Sequence, residues 1–399
     1  MTLKAISFLG YTPPDRPYRE TTYAFAGQTC TTPFMAEATA RFFQAEIDTL
    51  LVLVTKEAKQ QNLEALRARL PQPERLKPVD IPSSQDTADL WTMFTAIADH
   101  IEAGDRIIFD ITNGFRSLPV LALLATSFVR VVRKAHVERM IYGAFDAAQT
   151  GTTPVFDLSP FLSLLDWTTA TDAFLKYGRA DDLVKLTARG DGGSLDELTG
   201  TLATLTAGLQ VSRPTEVQTT ASALNDQIAA VRDDPAIPAP IGLLLDRISA
   251  EYTPLGHDVP TDPARAHEVL VGQAHIVQWY VTKGMYVQAI TLAREWLVSW
   301  VVTRTGGDMF AGPDREMAEA AINGYTYVRL RRSGQHIDLP ETMCNVAKTR
   351  LLRKIWSETR DLRNDLGHTG MRADARLAAQ VRTQVEHACG RLPELLALL

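Results

Sequence analysis

The chain has 399 residues, enough for two or three domains. Hydrophobic residues make up 45% and charged residues 22%, a balance that suits a globular protein with a sizeable core and argues against a disordered one. The formal charge of −6 argues against a generic nucleic-acid coat, which is usually basic, and leaves room for a local basic surface.

Ala5 to Leu9 is a short apolar run stopped by Gly10, which predicts a buried strand and a turn. Thr21 to Thr32 holds two β-prone pieces around Gly27-Gln28, a hairpin pattern. Ala36 to Phe43 reads as a helix, Thr49 to Val54 as a fully buried strand, and Glu57 to Leu70 as a helix with Leu63, Leu66 and Leu70 on one stripe. Ala88 to Ala103 is a further amphipathic helix, Arg106 to Asp110 a buried strand, Leu118 to Lys134 a long apolar helix, and Val137 to Ala144 the next strand. Apolar strands alternating with helices imply a Rossmann-like α/β domain, a parallel sheet covered on both faces. After Asp166-Trp167 the pattern is helical throughout, and an all-α region is expected. Breakers fall at 190–194, in the proline-rich patch 234–240, and from Gly256 to Pro263. Ala264 to Thr305 is helical with a joint at Lys283-Gly284, and Glu341 to Leu366 and Asp374 to Leu398 follow as helices. The expected division is 1–165, 166–260 as a helical connecting region, and 261–399.

Cys30, Cys344 and Cys389 are scattered and odd in number, with neither metal-ligand spacing nor a disulfide framework. No metal is expected, and a reducing compartment fits. The N-terminal residues lack the long apolar region and cleavage site of a signal peptide. No apolar stretch is long and charge-free enough to span a bilayer. A cytoplasmic protein without membrane contact is expected.

The segment from Asp110 to Pro119 runs from a predicted strand end into a predicted helix start, the edge of a parallel sheet at which ligands bind. Gly114 permits a close backbone approach. Ser117 suits an N-cap and Pro119 the first helical turn. Free N–H groups there favour an anion, and Arg116 adds a phosphate-pairing fork. Thr112 and Asn113 are placed to read a base or a ribose hydroxyl, and Phe115 belongs to the same turn. Gly10-Tyr11-Thr12 and Thr55-Lys56 end neighbouring strands and line the same edge. Neither a G-x-G-x-x-G nor a G-x-x-x-x-G-K-[ST] is present at these turns, which disfavours a dinucleotide-dependent dehydrogenase and a P-loop NTPase.

In the helical part, Arg363-Asn364-Asp365-Leu366-Gly367-His368 sets an arginine five residues before a histidine. Arginine keeps its charge and clamps phosphate oxygens, while histidine moves protons near neutrality. Together they suit metal-free RNA cleavage by attack of the 2′-hydroxyl on the adjacent phosphorus. Arg331/His336 and Arg382/His387 have the same spacing. The first pair falls in the turn Arg331-Arg332-Ser333-Gly334. The second lies on an unbroken helix, where five residues turn about 140° and separate the faces. Arg363 instead ends a run whose buried stripe is Leu352, Ile355, Trp356, Leu362 and Leu366. Gly367 offers a helix stop or kink to swing His368 towards it, and Asn364 adds a hydrogen-bonding group. Glu295, in Arg294-Glu295-Trp296, is a candidate partner for a basic group near the site. One histidine per chain is barely sufficient, so two copies across a dimer axis are expected to build the site.

With both motifs, the chain resembles the CARF–HEPN ribonucleases that accompany type III CRISPR systems. Ile6 to Gly10, Glu20 to Tyr23, Asp110 to Pro119, Tyr142 to Phe145, Phe156 to Leu158 and Asp166-Trp167 are similar to the CARF part, and Arg363-Asn364 to His368 to the HEPN signature. Residues 180 to 260 carry none of these motifs. The resemblance implies a CARF domain that binds cyclic oligoadenylate, cyclic tetra-adenylate above all, across a homodimer interface. It also implies an all-α HEPN domain that then cuts single-stranded RNA, with no cofactor besides this allosteric activator. Arg363, Asn364 and His368 would be catalytic. Asn113 stands where members of the family often carry histidine, which weighs against ligand cleavage rather than ligand binding. The alternatives are a sensor or ring nuclease with a helical scaffold, and a ligand-responsive regulator that binds nucleic acid without cutting it. The missing helix-turn-helix pattern counts against the regulator. Arg116→Ala is expected to weaken activation.

Overall fold

A computed structural model describes residues 2–399 other than 14, 16, 85, 114–117, 150, 189, 191, 235–236 and 372–374. The chain divides into two units, Met1–Ser163 and Leu164–Leu399.

The first unit runs in chain order β1 (Leu3–Leu9), β2 (Thr21–Phe25), β3 (Gln28–Thr32), α1 (Met35–Phe42), β4 (Thr49–Val54), α2 (Lys56–Arg69), β5 (Leu76–Asp80), α3 (Thr87–Asp99), β6 (Arg106–Asp110), α4 (Leu118–Val132), β7 (His136–Gly143) and β8 (Thr152–Asp157). The eight strands form one sheet in the order β3-β2-β8-β7-β6-β1-β4-β5. The five strands from β7 to β5 are mutually parallel. The expected Rossmann-like sheet is therefore present, with a mixed extension. β8 runs antiparallel to β7 because the connection from Gly143 to Thr152 is too short for a crossover. β2 and β3 form the expected hairpin, closed at Ala26 and Gly27, both with positive φ.

Alternation along the strands supplies two cores, one per face. Leu3, Ala5, Val52, Val54, Ile108 and Ile141 pack towards α1 and α2. Ile6, Phe8, Leu51, Leu53, Ile107 and Phe109 pack towards α3 and α4. The order in which the parallel strands are added reverses at β1, whose neighbours are β4 and β6. The far end of β1 is pinned by a buried ion pair, Lys4 Nζ to Asp105 Oδ2 at 2.7 Å. Burial pushes the Asp105 carboxyl up, but the Lys4 ammonium, the Thr2 hydroxyl and the Glu102 N–H together outweigh it and hold it below its ordinary value. A depressed carboxyl contributes stability above its unfolded value of about 4 and loses it as pH falls through the lower folded value. Asp105→Ala is expected to cost about 3 kcal/mol, since it strands a buried ammonium. Chemical denaturation at pH 7 and at pH 3 checks both the cost and its shrinkage in acid.

After the helix α5 (Ser159–Tyr177), in which the division falls, the second unit holds α6 (Asp181–Thr187), α7 (Ser194–Gln210), α8 (Pro214–Arg232), α9 (Ala239–Tyr252), α10 (Ala266–Thr282), α11 (Tyr286–Arg304), α12 (Gly312–Ile322), β9 (Tyr327–Arg329), β10 (His336–Asp338), α13 (Glu341–Ala347), α14 (Arg350–Gly367), α15 (Ala378–Cys389) and α16 (Leu392–Leu396). One core of buried residues extends from Trp167 to Leu395, so segments 166–260 and 261–399 share it. Buried polar tips find backbone partners. The Tyr280 hydroxyl donates to Leu209 O at 2.7 Å, Trp296 Nε1–H to Leu270 O at 2.8 Å, and Trp300 Nε1–H to Leu395 O at 2.9 Å. The region is helical as expected, with one addition, the β9–β10 hairpin. Its strands are three residues each and mostly exposed, so they leave no apolar alternation in the sequence.

Candidate functional site

At the carboxyl ends of β1, β4, β5 and β6 lies a cavity of about 580 Å³, within the range of small-molecule pockets. Its walls include Gly10, Tyr11, Thr12, Thr55 and Asn113. The reversal of strand order at β1 opens a crevice here, the place where parallel sheets bind ligands. Tyr18 folds back over the strand end: its hydroxyl accepts the Gly10 N–H at 2.8 Å. Burial pushes the Tyr18 phenol up to about 12, so it stays a neutral hydroxyl. Asn62 Nδ2 donates to Gly10 O at 3.0 Å, which completes the anchoring of this turn. Behind the crevice, the buried Asp110 carboxylate accepts from Ser7 Oγ at 2.7 Å and from Thr112 N at 2.9 Å. Burial raises the Asp110 carboxyl, and these donors only partly offset it.

Thr55 is the N-cap of α2, and its Oγ1 accepts the Ala58 N–H at 3.2 Å. The helix start, with its unpaired N–H groups and positive dipole end, therefore stands at the cavity. Thr12 Oγ1 is buried without a hydrogen-bond partner. It is a polar atom that a bound hydroxyl or phosphate would satisfy. Lys56 is exposed on the first turn of α2 and is not among the lining residues. Thr112 is occupied elsewhere, its hydroxyl accepting the Gly143 N–H at 2.8 Å. Gly114, Phe115, Arg116 and Ser117 lie outside the described residues. Tyr18, Glu57 and Ser83 also line the cavity and were missed by sequence reasoning. Ser83 follows β5, a strand whose central Pro78 hid it, and Tyr18 arrives through a loop with no periodic signal.

The second candidate site stands on α14. Arg363 and His368 are exposed and Asn364 half-buried, and Arg363 Nη1 lies 3.4 Å from Asn364 Oδ1. α14 ends at Gly367, the expected stop, without a kink. His368 is its C-cap, and its N–H still donates to Asn364 O at 3.0 Å with the i to i−4 spacing of the helix. The left-handed residues Thr369 (φ 51°) and Gly370 (φ 70°) then turn the chain away. Arg363 and His368 therefore point about 140° apart around one helix. Asn364 and His368, four residues apart, share a face. Arg350, Arg353, Lys354, Arg360 and Arg363 are all exposed along α14, a basic surface on a chain of net negative charge. Glu295 pairs with Arg315, Oε2 to Nη2 at 2.6 Å, and with Arg294. Arg294 in turn lies over Trp356 of α14, 5.3 Å from the ring centroid. Of the other two spaced pairs, Arg382 binds Glu386 at 2.8 Å and His387 faces Glu358 at 3.5 Å, while Arg331 and His336 belong to the β9–β10 hairpin. Among the described residues no group of three or more His, Cys, Asp or Glu side chains is placed to hold a metal ion, and no helix is long and apolar enough to cross a membrane.

Residues 163–254 match the family model described as CRISPR-associated protein MJ1674, second domain. Over 105 residues, 25% of this chain, the sequence is 30% identical to CRISPR-associated protein MJ1674 of Methanocaldococcus jannaschii, and the match spans 17% of that protein's length. Among solved structures, Csm6 of Enterococcus italicus bound to cyclic hexa-2′-fluoro-hexa-dAMP aligns with a TM-score of 0.46 at 10% identity, covering 100% of this chain and 94% of that one. The matched segment is thus that of a CRISPR-associated protein, and in this chain it lies in the helical region that follows a Rossmann-like sheet.

Proposed function

We propose that this chain, a relative of the CRISPR-associated CARF–HEPN proteins, is a cyclic oligoadenylate-activated endoribonuclease that cuts single-stranded RNA without a metal. The observation that carries the reading is the convergence of Gly10, Tyr11, Thr12, Thr55 and Asn113 on one cavity at the strand-order reversal. A helix N-terminus and an unpaired buried hydroxyl suit the phosphates and ribose hydroxyls of an oligoadenylate. Asn113 lines the cavity and cannot take up a proton, so the ligand is bound rather than cut. On α14, His368 serves as general acid or base and Arg363 steadies the charge of the phosphorane. Asn364 orients the linkage from the face it shares with His368. The active unit is a homodimer, and the activator must favour its cutting arrangement differentially, since equal affinity for two states shifts neither.

The test is RNA cleavage in EDTA with a panel of cyclic oligoadenylates of different ring sizes, cyclic tetra-adenylate included. One ring size is expected to switch on cleavage, with products ending in a 2′,3′-cyclic phosphate and no cut in DNA. Absence of cleavage with every ring, or cleavage that depends on added metal, removes this reading. Linear oligoadenylate without RNA products would make the chain a ring nuclease instead.

A further inference from the structure

Arg331 and His336 sit on a hairpin that the proposed activity leaves unused. β9 and β10 pair antiparallel, with Tyr327 opposite Asp338 and Arg329 opposite His336. Tyr325 and Tyr327 are 61% and 52% exposed, two large rings that fill no core. One face of Tyr327 is covered by the His336 ring, stacked at 4.8 Å and 22°. From Tyr325 to Asp338 the chain carries three arginines, Arg329, Arg331 and Arg332, against one aspartate. The hairpin is held in shape from both sides. Arg329 Nε donates to Gly334 O at 3.0 Å, and the Arg331 N–H donates to Glu316 at 2.8 Å.

Beside these residues runs a groove of about 300 Å³, lined by Glu319, Asn323, Tyr325, Tyr327, Arg329 and Arg331 among others. Its inner wall reaches α14. Asn323 Oδ1 accepts the Trp356 Nε1–H at 3.1 Å, and Glu319 pairs with the Arg294 guanidinium that covers Trp356. Trp356 and Arg363 are seven residues apart, two helical turns, so they lie on one stripe about 10 Å apart along the axis. The wall of the groove is thus backed, through Asn323 and Trp356, by the helix that bears the arginine of the candidate site.

We infer that the hairpin groove is a docking site for single-stranded RNA, with unpaired bases stacked on Tyr325 and Tyr327 and phosphates against Arg329 and Arg331, a role that rests on the RNA-cleaving reading for its partner. Aromatic rings beside arginines are what a single strand uses, because its bases offer open faces that a duplex hides. Guanidinium groups add forked contacts to phosphate oxygens and stack on bases themselves.

The experiment uses the full chain with His368→Ala, which keeps the probe intact, and follows the fluorescence anisotropy of a short, unstructured, end-labelled RNA. Adding Tyr325→Ala and Tyr327→Ala is expected to weaken binding about tenfold or more. Tyr325→Phe with Tyr327→Phe keeps the rings and is expected to bind as the parent does. In the otherwise unaltered chain the alanine pair should raise KM for RNA and leave kcat in place. An alanine pair that binds RNA as tightly as its parent overturns the inference, as does a phenylalanine pair that binds as poorly as the alanines. Tighter capture of an acidic peptide or of duplex RNA by the tyrosines overturns it too. The outcomes separate from the nuclease reading. Cleavage that needs His368 but ignores the tyrosines sinks the groove alone, and tyrosine-dependent RNA binding without cleavage under any activator sinks the nuclease alone.

Discussion

His368→Ala is expected to lower RNA cleavage by at least about 10²-fold, the lower end of what a positioned acid or base supplies, while binding of cyclic oligoadenylate is unchanged. Arg363→Ala is expected to fall as far, because the pentavalent phosphorus then lacks its fixed positive charge. The geometry of α14 adds a sharper expectation. The helix runs on through Gly367, so one chain turns the guanidinium of Arg363 and the imidazole of His368 to different sides. A single linkage needs both groups within hydrogen-bonding reach, and one helix does not supply that. On the proposed mechanism the pair is therefore expected to work in trans, with the histidine of one chain meeting the arginine of another. Mixing the two inactive variants tests this directly. Random reassociation makes roughly half of the dimers mixed, and each mixed dimer keeps one arginine and one histidine on opposite chains. Recovery of cleavage on mixing supports the shared cleft. Full activity in either single variant ends the mechanism.

The strands most sharply legible in the sequence are those with an apolar interior. Thr49–Val54 and Arg106–Asp110 are read to the residue because Leu50–Val54 and Ile107–Phe109 are buried on both faces and polar residues mark where each run stops. β5 and β8 were not read, since each carries a proline, Pro78 and Pro154, inside a short run. The break between α13 and α14 at Lys348-Thr349 has no glycine or proline to mark it. The same logic governs the site. Gly10, Thr55 and Asn113 follow strands that the pattern located, so their meeting could be foreseen. Tyr18 and Ser83 reach the cavity through a loop and a missed strand. Gly367 does end α14, but it makes no kink, and the chain reverses only two residues later, at the left-handed Thr369 and Gly370. Residues 180–254, which carry none of the motifs of the resemblance, fall within the segment 163–254 that the family model matches.

The second large effect is expected from the outer face of α4. Val120, Leu124, Phe128 and Val131 recur at helical spacing and are 63%, 57%, 43% and 80% exposed. Trp91 of α3, 65% exposed, continues the patch through Phe94, whose ring lies 5.7 Å from Trp91 and 5.1 Å from Phe128. A contiguous apolar surface of this kind marks an association site rather than a solvated helix. A second copy of the chain fits it, because a two-fold interface sets the same patch against itself. Leu124→Glu with Val131→Glu places carboxylates where the partner's apolar stripe would lie, and desolvating them costs several kcal/mol. The variant is expected to run as a monomer in light-scattering chromatography at concentrations where the parent is a dimer. Cleavage should then fall with dimer content and return in part at high protein concentration, a dependence that His368→Ala does not have. A charged variant that stays dimeric assigns this stripe to another partner. A monomer that still cuts RNA removes the need for two chains, and with it the shared cleft proposed for α14.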